Sequence, residues 1–325
     1  MANQETQRWT MTNSTVVSVT NLHHSYGDKA VLKGLDFSLQ AGRVYGFLGA
    51  NGAGKTTLIN LLLGRLKASQ GSVEVLNSQA GSVAAKAKVG AMLQIGSLPA
   101  NLTVLEQLNL FASYYKSPMP VSKALRLSDL NAHENIAFSK LSGGLKQRLL
   151  FAIAIIGDPQ LVFLDEPSLA MDVNARQQMW QTIRQLKAQG KTVVLTTHYM
   201  EEAEALSDEL FILNNGKIIA QGSPSELSHS MQMSEVIFAS DLSEEAITAL
   251  LPEWQWQVVA GKATTRCKAP NALLKAAFEK GVNCEALSVK PSSLEQTFMS
   301  LTQSTGADSD KSSDTNEAIS KEQAA

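Results

Sequence analysis

The stretch GANGAGKTT, Gly49 to Thr57, constrains this chain more than any other feature. It has the form G-x-x-x-x-G-K-[ST], a loop that cradles phosphate groups. Glycine carries no Cβ, so Gly49, Gly52 and Gly54 let backbone N–H groups close around phosphate oxygens. Asn51, Ala53 and Thr57 complete the loop as candidate nucleotide contacts. Lys55 would reach the β- and γ-phosphates, and the Thr56 hydroxyl would face Mg²⁺. RVYGFLG reads as a buried strand ending at the loop, and TTLINLLLGRL as the helix that follows. The helix N-terminus then points at the phosphates, where its dipole favours negative charge. Many unrelated machines own such a loop, so the rest of the chain must say which one this is.

The chain has 325 residues, room for one large or two ordinary domains, and its 44% hydrophobic content is ample for a packed core. A formal net charge of −2 gives no reason to expect bulk nucleic-acid binding. The two cysteines, Cys267 and Cys284, suit a reduced cytosolic protein. No run approaches the ~18 apolar residues of a membrane span. The most apolar stretch, LLFAIAII from Leu149 to Ile156, lies between Arg148 and Asp158 and suits a buried helix. The opening MANQETQRWTMTNST lacks the apolar core of a secretory signal. A cytosolic protein that meets a membrane through a partner is the expectation.

Residues 1–14 read as a loose polar arm. Residues 302–325 are Ser/Asp/Glu-rich with almost no large apolar side chains, and are expected to be disordered. Two units lie between. In residues 15–229, VVSVTNLHHSY and AVLKGLDFSL read as strands around a Gly27-Asp28 turn. QLVFLDEP and TVVLTTH read as buried strands of a parallel sheet covered on both faces. Asn215-Gly216 predicts a hairpin between ELFILN and KIIAQG. Residues 230–301 read strand-helix-strand-strand-helix-strand, the ferredoxin-like order, with SLEQTFMSL as a closing helix. Trp254 and Trp256 alternate along one strand face, as core residues would. His23, His24, His133 and His229 have no metal-ligand partners at useful spacing and read as surface residues.

The downstream motifs narrow the choice. LVFLDEP is an apolar strand ending in two acids. It carries Asp165 to the sheet's C-terminal edge, where it can hold Mg²⁺ through water, and Glu166 can orient and deprotonate an attacking water. LSGGLKQR, Leu141 to Arg148, places Ser142, Gly143 and Gly144 at a helix start, where backbone N–H groups are free. In this position it resembles the signature motif of ABC-type ATPases. Further motifs follow suit: Tyr26 resembles the aromatic that stacks on adenine, and Gln94, in MLQIGSL, resembles the glutamine that contacts metal and attacking water. SLAMD, Ser168 to Asp172, resembles the D-loop that crosses a dimer interface, and His198 resembles the switch histidine that contacts the γ-phosphate.

The resemblance covers residues 15–229 and implies an α/β, P-loop NTPase cassette. Its parts would be a RecA-like parallel sheet, an antiparallel β subdomain and a short helical subdomain, followed by the small α+β ferredoxin-like domain. The chain departs from the family at Leu145, where glutamine is commonest, and at Ala170 and Val173, where glycine and proline are usual. The segment between Gln94 and Leu141 is short for the family, and VSKALRLSDL has room for only a brief helix. The resemblance further implies an ATPase working as a head-to-tail homodimer, each ATP between Lys55 of one copy and Ser142 of the other. LSGGLKQRL, GKIIAQGSPSEL and the terminal SLEQTFMSL resemble type-2 exporter ATPases, which serve a separate membrane permease from the cytoplasmic face. A soluble ABC ATPase acting on ribosomes or DNA is the alternative; so is a nucleotide-binding regulator without turnover, against which Lys55, Asp165, Glu166 and His198 argue.

Overall fold

A hairpin opens the fold. β1 (Thr15–Tyr26) and β2 (Lys29–Gln40) pair antiparallel across Gly27-Asp28. Leu35, Phe37 and Leu39 of β2 are buried while Asp36 and Ser38 are exposed, the alternation of a sheet wet on one face. The computed structural model describes residues 14–94, 98–230 and 234–291. It continues through β3 (Val44–Leu48), the phosphate loop and α1 (Lys55–Leu62). β4 (Gln70–Val75) and β5 (Ser78–Gln79) complete an antiparallel sheet ordered β2-β1-β4-β5. α2 (Val83–Lys86) leads into β6 (Val89–Met92).

A small helical segment follows. α3 (Val104–Ala112) and α4 (Val121–Leu127) pack on α5 (Gly143–Ile155) through Val104, Leu108, Leu125 and Leu149. α4 is the brief helix expected from VSKALRLSDL. α3 begins with a capping box: Glu106 N donates to Thr103 Oγ1 at 3.2 Å, and Thr103 N to Glu106 Oε2 at 2.8 Å.

The second half of the unit supplies β7 (Leu161–Asp165), α6 (Val173–Ala188), β8 (Thr192–Thr197), α7 (Met200–Leu206), β9 (Glu209–Asn214) and β10 (Lys217–Gly222). These join β3 and β6 in a six-stranded sheet ordered β10-β9-β3-β8-β7-β6, parallel from β9 to β6. Every residue of β3, β7 and β8 is buried, because helices cover both faces. Tyr45, Phe47 and Phe163 pack toward α1 and the antiparallel sheet, while Val162, Leu164, Val193 and Leu195 pack toward α5 and α6.

The chain divides into two compact units between Gln221 and Gly222. α8 (Pro224–Ser230) follows β10 and adds no strand to the large sheet. The second unit runs through β11 (Ser234–Ala239), α9 (Glu244–Leu250), β12 (Trp256–Val259), β13 (Lys262–Cys267), α10 (Pro270–Glu279) and β14 (Glu285–Pro291). Its sheet is ordered β12-β13-β11-β14 with every pairing antiparallel, the ferredoxin-like arrangement. Val236, Phe238, Ile247, Trp256 and Leu273 form its core.

Two sequence expectations are corrected. His24 is buried, with Nδ1 3.0 Å from the Lys67 carbonyl oxygen. Trp254 precedes β12 rather than lying on it, yet packs on the same core as Trp256. The arm of residues 1–13, the closing segment SLEQTFMSL and the tail of residues 302–325 lie outside the described residues.

Candidate active site

The parallel sheet brings the sequence motifs to one edge. β3, β7 and β8 run in the same direction, and their register pairs Leu48 with Thr197 and Asp165 with Thr196. The phosphate loop leaves β3, the acidic pair ends β7, and His198 follows β8, so all three emerge side by side.

The loop is shaped for close approach to a ligand. Gly54, the residue before α1, sits at φ 109°, a conformation that side chains rarely adopt. A Cβ there would also lie 2.7 Å from a Leu32 methyl. Lys55 is 6% exposed, and its ammonium donates to the carbonyl oxygens of Gly49 at 2.7 Å and Ala50 at 3.2 Å. The same ammonium lies 3.4 Å from Glu166 Oε1.

Glu166 is the centre of the arrangement. Its backbone takes φ 52°, a left-handed turn that costs a non-glycine residue about 1–3 kcal/mol. Two hydrogen bonds from its N–H, to Thr196 O at 3.1 Å and Thr196 Oγ1 at 3.2 Å, hold that turn against β8. The carboxylate, 4% exposed, then lies between the Lys55 ammonium and the imidazole of His198, whose Nδ1 hydrogen-bonds Glu166 Oε2. A buried carboxylate paired with a cation on one oxygen and an oriented imidazole on the other has the form of a held general base.

Asp165 lies beside it, 1% exposed. Its Oδ1 accepts from Thr196 Oγ1 at 2.5 Å, while Oδ2 makes no hydrogen bond among the described residues. Burial pushes its pKa up; the hydroxyls of Thr196 and Thr56 oppose this, Glu166 adds to it, and Lys55 pulls down. A desolvated carboxylate with a bare oxygen beside a threonine hydroxyl suits a hard divalent cation, which takes oxygen ligands. Thr56 and Asp165 therefore fit the Mg²⁺ role given to them.

Other candidates lie elsewhere. Ser142 caps α5, its Oγ accepting from Leu145 N at 3.3 Å, and Gly143 and Gly144 form the helix's first turn rather than preceding it. A Cβ on Gly143 would sit 3.8 Å from that of Ala170, so the D-loop passes beside the signature. Asp172 caps α6 through Oδ1 and Ala175 N at 2.8 Å. Tyr26 is 53% exposed at the tip of the first hairpin, edge-on to His24. Gln94 is exposed just past β6, immediately before residues outside the described set.

A family model described as ABC transporter matches residues 32–169. Nod factor export ATP-binding protein I of a Rhizobium species (strain N33) is 34% identical over 293 residues, 88% of this chain and 96% of the relative. The chain belongs to the ABC transporter family, as an ATP-binding subunit. The Ralstonia nicotianae protein of the same name is 35% identical over 303 residues, 88% of this chain and 94% of the relative. A solved ATP-binding subunit of an ABC transporter aligns with TM-score 0.62 at 25% identity, over 67% of this chain and 93% of that one. The chain is an ATPase of this family.

Two features of this ABC ATPase were missed from sequence. Thr196 serves both acids, holding Asp165 by its hydroxyl and Glu166 by its hydroxyl and carbonyl. The Thr-Thr ending of TVVLTT was its only signal. Ala170, already marked as a departure, proves to sit at φ 61°. A side chain in that conformation costs about 1–2 kcal/mol, partly offset in glycine by greater chain entropy. Ala170→Gly is therefore expected to raise stability by about 0.5–1 kcal/mol, read as a higher urea midpoint at constant m-value.

Proposed function

We propose that this chain is the ATP-binding subunit of an exporter, hydrolysing ATP at a head-to-tail homodimer interface to drive a separate polytopic permease. The observation that carries this is the similarity to proteins named for export, which spans 88% of the chain and so extends past the cassette into the second unit. In this reading residues 15–229 are the cassette and 230–301 an accessory domain, and the protein works at the cytoplasmic face of the inner membrane. Among the described residues no helix is long and apolar enough to cross a membrane, so attachment would come from the permease.

The residues divide the work by position. Gly49, Asn51, Gly52, Ala53, Gly54 and Thr57 offer loop contacts to the phosphates, and Lys55 adds a cation. Tyr26 supplies a face for adenine. Thr56, Asp165 and Gln94 would hold Mg²⁺, which neutralises phosphate charge when bound. Glu166 accepts the proton of the attacking water while Lys55 and His198 keep its carboxylate aimed. Ser142, Gly143 and Gly144, with Asp172 of the D-loop, meet the nucleotide held by the second copy. The 13-residue α5 directs its N-terminal dipole toward that anion.

The test is to tag the full chain, solubilise membranes in mild detergent and identify what co-purifies. A stoichiometric polytopic membrane protein is the expected result. Recovery only from the soluble fraction, with ribosomes or nucleic acid, would leave the ATPase in place and remove the export reading. Cargo selection belongs to the permease in this scheme.

A further inference from the structure

The residue directly behind the hydrolytic centre is a carboxylate that none of the steps above uses. Glu202 lies in α7, four residues past His198, and is fully buried at 0% exposure. Acidic side chains almost never reach that state without partners. Here Oε1 accepts from the indole Nε1 of Trp180, in α6, at 3.1 Å. Burial pushes its pKa up and the nearby Glu166 adds to that push, while the hydroxyls of Thr197 and Ser168 and the Trp180 indole work against it. Oε2 and Ser168 Oγ make no hydrogen bond among the described residues. Thr197 and Ser168 are themselves 0% and 3% exposed.

These partners come from the segments that must keep register for hydrolysis. Thr197 directly precedes His198, and its Oγ1 also accepts from Tyr199 N at 3.0 Å, so it pins the backbone on both sides of the imidazole. Ser168 lies two residues past Glu166 and opens the D-loop, and its carbonyl accepts from Met171 N at 3.2 Å. Trp180 is part of the helix that Asp172 caps at the loop's far end. One buried carboxyl on the helix after His198 is thus hydrogen-bonded to the helix after the D-loop.

We propose that Glu202 is a positioning residue that, through Trp180, keeps the helix after His198 and the helix after the D-loop in a single arrangement, so that the switch histidine and the D-loop move together. The proposal rests on the reading of Glu166 as the base. A packing role alone would be filled equally well by leucine. A positioning role needs an acceptor for the Trp180 N–H.

The experiment measures kcat, KM for ATP, nucleotide Kd and thermal midpoint in the full-length chain. The variants are Glu202→Leu, Glu202→Gln and Trp180→Phe, with Glu166→Gln alongside. Misplacement of reacting groups by fractions of an ångström to 1 Å costs up to about 10²-fold in rate. Glu202→Leu is expected to lower kcat by about tenfold or more, with Kd for ATP within about twofold of the parent. Glu202→Gln keeps an acceptor for the indole and gains donors for the hydroxyls, so it should stay within about threefold of the parent kcat. Trp180→Phe removes the N–H while keeping an aromatic ring at the site, and should lower kcat with Kd unchanged.

A parent-like kcat in Glu202→Leu would overturn the proposal, as would equal losses in the Gln and Leu variants, or a change in Kd alone. If Glu202→Leu does not fold, Trp180→Phe decides: an unchanged kcat there overturns the proposal. Full turnover in Glu166→Gln would instead remove the hydrolytic reading beneath it, a failure seen without reference to the Glu202 variants.

Discussion

Glu166→Gln is expected to lower ATP turnover by about 10²–10⁴-fold, the range for loss of a positioned general base, while nucleotide binding persists. The substitution keeps the shape of a side chain that is 4% exposed, so the fold around it should hold. It removes the group proposed to take the proton. An amide also cannot pair with the Lys55 ammonium at 3.4 Å as a carboxylate does, which leaves that cation more available to phosphate. The variant should therefore hold ATP and accumulate as a closed dimer, visible as a shift to twice the mass in size exclusion with ATP and Mg²⁺. Turnover equal to the parent would show that the proton goes elsewhere.

Lys55→Ala is expected to act one step earlier. Charge-assisted hydrogen bonds contribute about 1.5–3 kcal/mol each, so removing the loop's one cation should weaken ATP binding by about 10–100-fold and abolish hydrolysis with it. Titration with a fluorescent nucleotide separates the two variants: Glu166→Gln keeps affinity and Lys55→Ala loses it. The melting temperature should be read in parallel, because Lys55→Ala also takes the cation from a buried carboxylate. An alanine variant that binds ATP as tightly as the parent would mean that the backbone of residues 49–54 holds the phosphates alone.

The elements with strong local signals were legible before any coordinates. β3, β7 and β8 are uninterrupted apolar runs, and such runs form strands only where both faces can be covered. The second unit's order was readable because each of its strands and helices is short, periodic and bounded by turn residues. α3 was not singled out, although Thr103-Val-Leu-Glu106 spells its capping box. His24 could not have been placed from its type, because its burial depends on the Lys67 carbonyl that meets it from a distant turn.

The sequence by itself determined the chemistry available: a glycine-rich loop with Lys55 and Thr56, two acids at a strand end, a histidine after another strand, and a serine at a helix start. Those identities follow from local patterns, and no neighbour in space is needed to read them. Only the tertiary structure decided which groups touch. The Glu166 carboxylate lies between Lys55 and His198 because the ladders of β3, β8 and β7 set Leu48 against Thr197 and Thr196 against Asp165. Strand register is a long-range property, fixed by pairing between segments far apart in the chain. The same holds for Glu202, whose burial comes from α6 bringing Trp180 against it.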